Sequence, residues 1–303
     1  MAAPWVGLTE CAEHSLAGTD FLAFDQVSGG RMGTAGGGIE YEVGTGGQAS
    51  KWRGPLHGAG NVSCLLQSIG LLADLKPAAL GSLPPIIEKI RGGPIVDTSA
   101  AWLHEDCRLT KVALGCDQGK ALTVGYEWIA LLPSRVTIAA IDVVAKQTQR
   151  VFPWHAQSIT FATAIAAAAY KCIGWNAEFT TGITPQSSSD AKAVTVPTSA
   201  RIAEWIDPGT FEGKITARMR VPLAYTNDFM ADFVDVVKFK VIALNNDVAV
   251  KTFTLDMTAS GAANMDDGMP TEIAKGPDAV IYELSASILP NDLAAVVISL
   301  VSA

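Results

Sequence analysis

The sequence predicts a mainly β protein, and three observations support that fold class. The 303 residues include 28 glycines and 15 prolines, a content that favours many turns between short elements. Hydrophobic residues make up 49% of the chain and charged residues only 17%, a balance that excludes a disordered protein. Several stretches alternate apolar and polar residues with the period of a half-buried strand. A chain of this length is also large enough for two domains of ordinary size.

A hairpin is the clearest element of the first half. Large apolar residues occupy every second position between 122 and 128, which predicts a strand with one core face. The stretch 107–114 is its predicted partner, joined through the turn-forming residues 117–119. Upstream, Asn61 is a favourable N-cap for a helix whose apolar residues follow the i, i+3, i+4, i+7 pattern over 62–72. We expect this helix to lie against a sheet.

The second half shows the same order of strand, short turn and single helix. Residues 213–221 alternate as a strand that ends at Pro222. Thr226 or Asn227 is the predicted N-cap of the helix that follows. The remaining predicted strands of this half are 238–244, 248–257, 279–287 and 294–301.

Two tandem domains are the predicted organisation. Residues 51–56 resemble residues 216–221 in preceding a predicted helix, although the identity between the two stretches is negligible. The shared element order motivates the hypothesis of an internal duplication. A linker near 146–154 would then separate a first domain, 1–150, from a second domain, 151–303.

The polar face of the strand 213–221 is the sharpest charge feature of the chain. Its basic residues are Lys214, Arg218 and Arg220. This face either contacts nucleic-acid phosphates or meets an acidic surface on a neighbouring copy. The second alternative is favoured, because no stacking aromatic residues interleave the basic ones and the net charge of the chain is −8. The expected acidic partners are Asp228, Asp232 and Asp235.

A glycine-rich stretch occupies residues 28–47. It contains nine glycines around the short alternating run 39–43, which predicts a mobile arm or a long hairpin. No set of these glycines has the spacing of a dinucleotide-binding turn before a helix. The stretch 115–120 imitates a phosphate-binding loop, but it is one residue short, and Ala121 replaces the serine or threonine that would bind magnesium.

Catalytic, cofactor and metal sites are not predicted. The four histidines are too far apart in sequence for a helical zinc pair, and the five cysteines include no C-x-x-C motif. No G-x-S-x-G nucleophile motif occurs. We therefore expect neither an enzyme nor a cofactor. No apolar stretch reaches the roughly 20 residues of a membrane span, and the first residues do not resemble a secretory signal, so we expect synthesis and retention in a cytosol.

The hairpin of 107–112 and 120–127, together with short strands and one helix, resembles the tail tube proteins of long-tailed bacteriophages. In the second half, 175–179, 209–218, the helix after Asn227 and the strand 252–255 are similar to the pattern of that family. The resemblance spans roughly residues 50–290.

This resemblance implies two tandem β-sandwich or barrel domains, each with one flanking helix, in a structural virion protein with no enzymatic activity. Family members with two tube domains form homotrimeric rings that imitate six-fold symmetry, with a hexamer as the less favoured alternative. The rings stack into the hollow tail tube, through which DNA passes into the host without specific binding. An acidic inner wall is expected to keep phosphates from adhering. The implied location is the virion tail, after assembly in the host cytoplasm, with other tail proteins at the tube ends and no membrane partner.

The glycine-rich arm is expected to become ordered on contact with the next ring, which would couple stacking to assembly. The residues assigned to this contact are Gly36, Gly37, Gly38, Glu40, Tyr41 and Glu42. Two other functions stay open. One is a capsid-decorating or other virion component, which would bind heads rather than form tubes. The other is a carbohydrate-binding or adhesion β-sandwich that uses tryptophans as stacking platforms.

Overall fold

Strands dominate the computed structural model of the protein. It describes residues 10–16, 20–23, 33–36, 39–44, 47–53, 56–66, 86–90, 101–104, 108–130, 134–136, 150–161, 170–186, 205–207, 212–232, 239–245, 250–257, 264–265, 269–288 and 297–302. The strands of the first half are β1 Glu10–Leu16, β2 Asp20–Ala23, β3 Gly33–Gly36, β4 Ile39–Gly44, β5 Gly47–Arg53, β6 Leu56–Leu65, β7 Ile86–Ile90, β8 Ala101–His104, β9 Arg108–Asp117, β10 Thr123–Ala130 and β11 Ser134–Val136. The strands of the second half are β12 Gln157–Phe161, β13 Lys171–Thr180, β14 Thr184–Gln186, β15 Trp205–Asp207, β16 Glu212–Pro222, β17 Phe239–Leu244, β18 Lys251–Met257, β19 Asn264–Met265, β20 Thr271–Lys275, β21 Ala279–Ile288 and β22 Val297–Ser302. One α-helix, α1 Thr226–Asp232, lies among the described residues. The mainly β prediction is confirmed.

One sheet of nine antiparallel strands contains strands from both halves of the chain. Their order is β3, β6, β10, β9, β13, β16, β21, with β19 and β20 both pairing along the outer edge of β21. The junction between the halves is the pairing of β9 with β13, which extends from Gly174 opposite Asp117 to Thr180 opposite Lys111. Backbone hydrogen bonding is therefore continuous across the sequence midpoint.

Smaller sheets accompany this large sheet. A four-stranded sheet has the order β12, β17, β18, β22, and a five-stranded sheet has the order β11, β8, β7, β1, β2. Two separate hairpins, β4 with β5 and β14 with β15, complete the strand pairings. The hairpin alternative for the glycine-rich stretch is therefore the one observed over Ile39–Gly44 and Gly47–Arg53.

The described core lies between the large sheet and the four-stranded sheet. Inward residues of β16 alternate with outward ones along the whole strand, as predicted. The Trp175 ring in β13 lies 5.9 Å from the Phe239 ring in β17, so the two sheets pack face to face through aromatic side chains. Helix α1 covers another part of the large sheet, because Phe229 packs 5.0 Å from Tyr282 of β21. Burial of these large rings supplies the hydrophobic free energy of the layered fold.

The predicted hairpin and most strands of the second half are confirmed. Strands β9 and β10 pair as expected, and Gly119 in the turn adopts a φ of 79°, a conformation that favours glycine. The helix after Pro222 is also confirmed, beginning at Thr226 after a short 3-10 turn over Leu223–Tyr225.

The predicted helix beginning at Asn61 is wrong. This residue lies inside β6, opposite Glu127 of β10, and Val62 lies opposite Tyr126. Leu66, immediately after the strand, is fully buried and donates its backbone N–H to the carbonyl of Leu122. The apolar spacing fits a helix, but pairing with a distant strand satisfies the backbone groups of 58–65, and this tertiary context overrides local propensity. The flanking helix of the first half is therefore not at the predicted position.

Several predicted features lie outside the described residues. They are Gly37, Gly38, Asp235, residues 67–72 of the predicted first helix, the alanine-rich run 162–169 and residues 146–149 of the predicted linker.

Candidate assembly interface

The joint between β9 and β13 brings two backbones close together. Gly115 lies opposite Asn176, and a Cβ atom at Gly115 would lie 2.9 Å from the main-chain oxygen of Trp175. On the same joint, Lys111 Nζ lies 2.8 Å from Glu178 Oε1. The joint is thus held by backbone hydrogen bonds, a close glycine contact and a cross-strand ion pair.

A second ion pair reaches across three strands of the large sheet. Arg218 of β16 donates to the carboxylate of Asp117 at the end of β9, passing over β13. Gly174 makes room for it, because a Cβ there would lie 2.7 Å from Arg218 Nη2 and 2.8 Å from Asp117 Oδ1. Lys120 Nζ lies 3.1 Å from the other oxygen of the same carboxylate. Asp117 therefore neutralises two basic groups.

The strand pairings of the first half recur in the second half in the same order. Pairings β1 to β7, β7 to β8 and β8 to β11 correspond to β12 to β17, β17 to β18 and β18 to β22. In the large sheet, β3 to β6, β6 to β10 and β10 to β9 correspond to β13 to β16, β16 to β21 and β21 to β20. The hairpins β4–β5 and β14–β15 follow β3 and β13 respectively. By this correspondence β3 is the counterpart of β13, and β20 is the counterpart of β9.

The two outer strands of the described large sheet are these counterparts. Strand β3 lies at one edge, and β20 lies with β19 at the other. Every residue of β20 is exposed, and its Ile273 is 48% exposed. Met269, just before the strand, is 52% exposed. An exposed edge strand with apolar side chains is a template for pairing with another chain.

The face of the large sheet that points away from the core carries charges of both signs. Its basic residues are Arg108, Lys111, Lys171, Lys214, Arg218 and Arg220. Its acidic residues are Asp117, Glu127, Glu178, Glu212 and Glu283. We call this surface the open face. Within the described part of the chain, six positive and five negative side chains lie on it.

The predicted intermolecular residues fall into separate environments. Arg218 pairs with Asp117 of its own chain, and Lys214 lies opposite Glu178 in the strand register. Asp228, in the first turn of α1, is exposed, and Asp232 is the last helical residue. The helix packs on the core side of the large sheet, opposite the open face, so one chain does not bring its basic and acidic sets together.

Sequence reasoning missed the residues that link the strands. Asp117 was assigned only to a turn, and Gly174 carried no prediction. No local pattern marks them, because the Arg218 to Asp117 contact joins residues 101 positions apart. The alternation of β16 did correctly identify Arg218 as an outward-facing residue.

The described thiols are poorly suited to nucleophilic chemistry. Burial raises the pKa of Cys172 to about 11, and burial also raises the pKa of Cys116. Both thiols are free and remain protonated at neutral pH. Across the described ranges, no group of three or more His, Cys, Asp or Glu side chains could hold a metal ion.

The fold buries some of the tryptophans that could serve as stacking platforms for a carbohydrate. Trp128 and Trp175 are only 2% and 4% exposed, so they are core residues.

No helix in the described part of the chain is both long and apolar enough to cross a membrane. Neither the family models nor the curated proteins contain a match to this chain.

Proposed function

We propose that the protein is a structural subunit that assembles through its sheet edges into closed rings, and that these rings stack into a hollow phage tail tube. The observation that supports this proposal most directly is the joint between β9 and β13. The free edges of the same sheet, β20 and β3, are the counterparts of β9 and β13. A second copy can therefore extend the sheet by repeating a joint that the chain already makes within itself.

Such a joint is heterologous, because one edge of each copy meets the other edge of the next. Heterologous contacts generate a ring when the rotation closes and an open filament when it does not. Each chain contributes two units of the same strand order, so three chains place six units around a ring. Closure would remove both exposed edges of the large sheet, including the apolar edge at Ile273.

The layers of the fold indicate which face would line the channel. In the described core, the four-stranded sheet and α1 both pack on one face of the large sheet. A closed ring has more room on its outer circumference, so the second layer belongs outside and the open face inside. The open face carries charges of both signs rather than acidic ones alone, and Lys111 and Arg218 are held by carboxylates of the same chain. Phosphates passing through the channel would meet these two basic groups already paired with carboxylates.

Electron microscopy and light scattering on the purified protein test this proposal. We expect rings or tubes and, for a single ring, the mass of three chains. The variant Ile273→Lys places a charge on the exposed β20 edge and should leave the protein monomeric with an unchanged melting temperature. Val250→Lys is the matched control, since Val250 is 37% exposed and lies outside the large sheet. A wild-type protein that stays monomeric at every concentration, or an Ile273→Lys variant that assembles normally, would overturn the proposal.

A further inference from the structure

The charges of the open face are distributed unevenly along its strands. One end is formed by the start of β13, the last residues of β16 and the turn after β9, since Gln118 donates its backbone N–H to the Ile173 carbonyl at 3.0 Å. Four basic residues lie at this end, which are Lys120, Lys171, Arg218 and Arg220. Two carboxylates accompany them, that of Asp117 and that of Glu283, which lies opposite Arg218. We call this set of residues the basic end.

The rest of the open face is neutral. Its three basic and three acidic residues are Arg108, Lys111, Lys214, Glu127, Glu178 and Glu212. The excess positive charge of the open face therefore lies at the basic end, in a chain whose net charge is −8. A local concentration of charge opposite in sign to that of the whole chain marks this end as a binding surface for an anion.

Two members of the basic end have no carboxylate partner among the described residues. Lys171 and Arg220 lie directly opposite each other in the ladder between β13 and β16, and both are exposed. Directly opposite Cβ atoms are about 4.5–5.5 Å apart, so these like charges repel each other and reduce stability. The carboxylate of Asp117 is already bound by Arg218 and Lys120. An anion bound between Lys171 and Arg220 would remove the repulsion.

The position of this pair favours a phosphate over a carboxylate of another copy. The exposed Asp228 belongs to α1, which packs on the core side of the large sheet, away from the open face. In the proposed ring the open face lines the channel, where the passing molecule is DNA. No aromatic residue occupies an outward position of β13 or β16, two strands that the structure describes in full. Binding without stacking platforms fits a duplex rather than a single strand.

We propose that Lys171 and Arg220 bind the phosphodiester backbone of duplex DNA on the channel wall. The place of this site in a channel rests on the proposed function. Strand β6, the counterpart of β16, contains no lysine or arginine, so a three-chain ring carries three such sites at one level. Because the chain as a whole is acidic, the contact is weak and sensitive to salt, and DNA held at this level can still move.

Fluorescence anisotropy of a labelled duplex of about 20 base pairs tests the site at 50 and 200 mM salt. The variant Lys171→Gln/Arg220→Gln should bind the duplex more weakly than the wild type at 50 mM salt. If the pair neutralises two phosphates, the ratio of wild-type to variant affinity should fall about 12-fold between the two salt concentrations, because each phosphate contributes about 0.9 to the logarithmic salt slope. Its melting temperature without DNA should be unchanged or higher, since the repulsion is gone.

The matched control is Lys240→Gln/Lys251→Gln, which removes the same charge from the four-stranded sheet and should bind the duplex as the wild type does. A Lys171→Gln/Arg220→Gln variant that binds as tightly as the wild type at 50 mM salt would overturn the site. Polyglutamate that displaces the duplex as effectively as unlabelled DNA, at equal charge, would also overturn it and would assign the pair to an acidic protein surface.

The outcomes separate this inference from the proposed function. The measurements use single chains or single rings selected by light scattering, because the open face is accessible in both. A wild-type chain that forms no rings but binds the duplex through Lys171 and Arg220 would overturn the proposed function and leave the binding site standing. Rings that form normally from a chain in which the pair does not affect binding would overturn only the binding site.

Discussion

Alanine at Gly115 is expected to destabilise the joint between β9 and β13. Its Cβ would lie 2.9 Å from the main-chain oxygen of Trp175 and 3.0 Å from Asn176 Oδ1. The Trp175 carbonyl cannot move away from this Cβ without disturbing the pairing of β9 with β13. Overpacking of this kind costs about 1–3 kcal/mol, while the reduced entropy of the unfolded chain offsets about 0.4–1 kcal/mol. The net loss in the free energy of unfolding should be about 1–2 kcal/mol.

Urea unfolding followed by tryptophan fluorescence measures this loss, because buried Trp175 lies at the joint. All variants are compared at one protein concentration, since assembly stabilises the folded chain. Gly276→Ala is the control, because its Cβ would meet nothing closer than an ordinary contact at 3.4 Å. Gly174→Ala should fall between them, because it displaces a half-exposed ion pair worth about 0–1 kcal/mol. A Gly115→Ala variant as stable as Gly276→Ala would refute the close approach of β9 and β13.

Two further predictions concern buried polar and thiol groups. Thr181→Val should lower the free energy of unfolding by about 1–3 kcal/mol, because the 2.7 Å hydrogen bond from Thr181 Oγ1 to the Leu109 carbonyl is lost in a buried site. Thr181→Ser retains the donor, and equal stability of the two variants would contradict this role. Cys172 should react with thiol reagents at pH 8 about 100-fold more slowly than a thiol with the ordinary pKa of 9.0, because its pKa is about 11. Since the pKa is raised in the folded state, the stability contributed by protonated Cys172 is complete below pH 9 and is lost as the pH rises towards 11. Urea titrations of wild type and Cys172→Ser should therefore diverge over that range, and parallel curves would exclude the shift.

The alternating strands were predictable because their periodicity is a local property. In β16, buried residues alternate with outward ones from Gly213 to Val221, so the apolar face is visible in the sequence. The turn at Gly119 was predictable for a similar reason, since a positive φ favours glycine. Helix α1 was also marked locally, by the strand-ending Pro222 and the polar residues that follow, although Thr226 is the first helical residue and not an N-cap, with its hydroxyl donating to the Leu223 carbonyl.

The candidate interface was less predictable, because its features depend on neighbours far along the chain. The sequence identified Arg218 as outward-facing and basic, but its partner Asp117 lies on a strand two positions away in the sheet. Likewise, only the register of β13 and β16 places Lys171 opposite Arg220. The predicted meeting of Lys214, Arg218 and Arg220 with acidic residues of another copy stays a prediction.

The sequence by itself determined the mainly β class, the faces of individual strands and the positions of several turns, because each depends on residues only a few positions apart. Tertiary structure decided which strands meet. It made a strand at Asn61 where the local pattern favours a helix, and it joined the two halves through Gly115 and Gly174. The physical reason is that strand pairing satisfies backbone groups between segments distant in sequence. The choice of partner therefore depends on the whole chain rather than on any one segment.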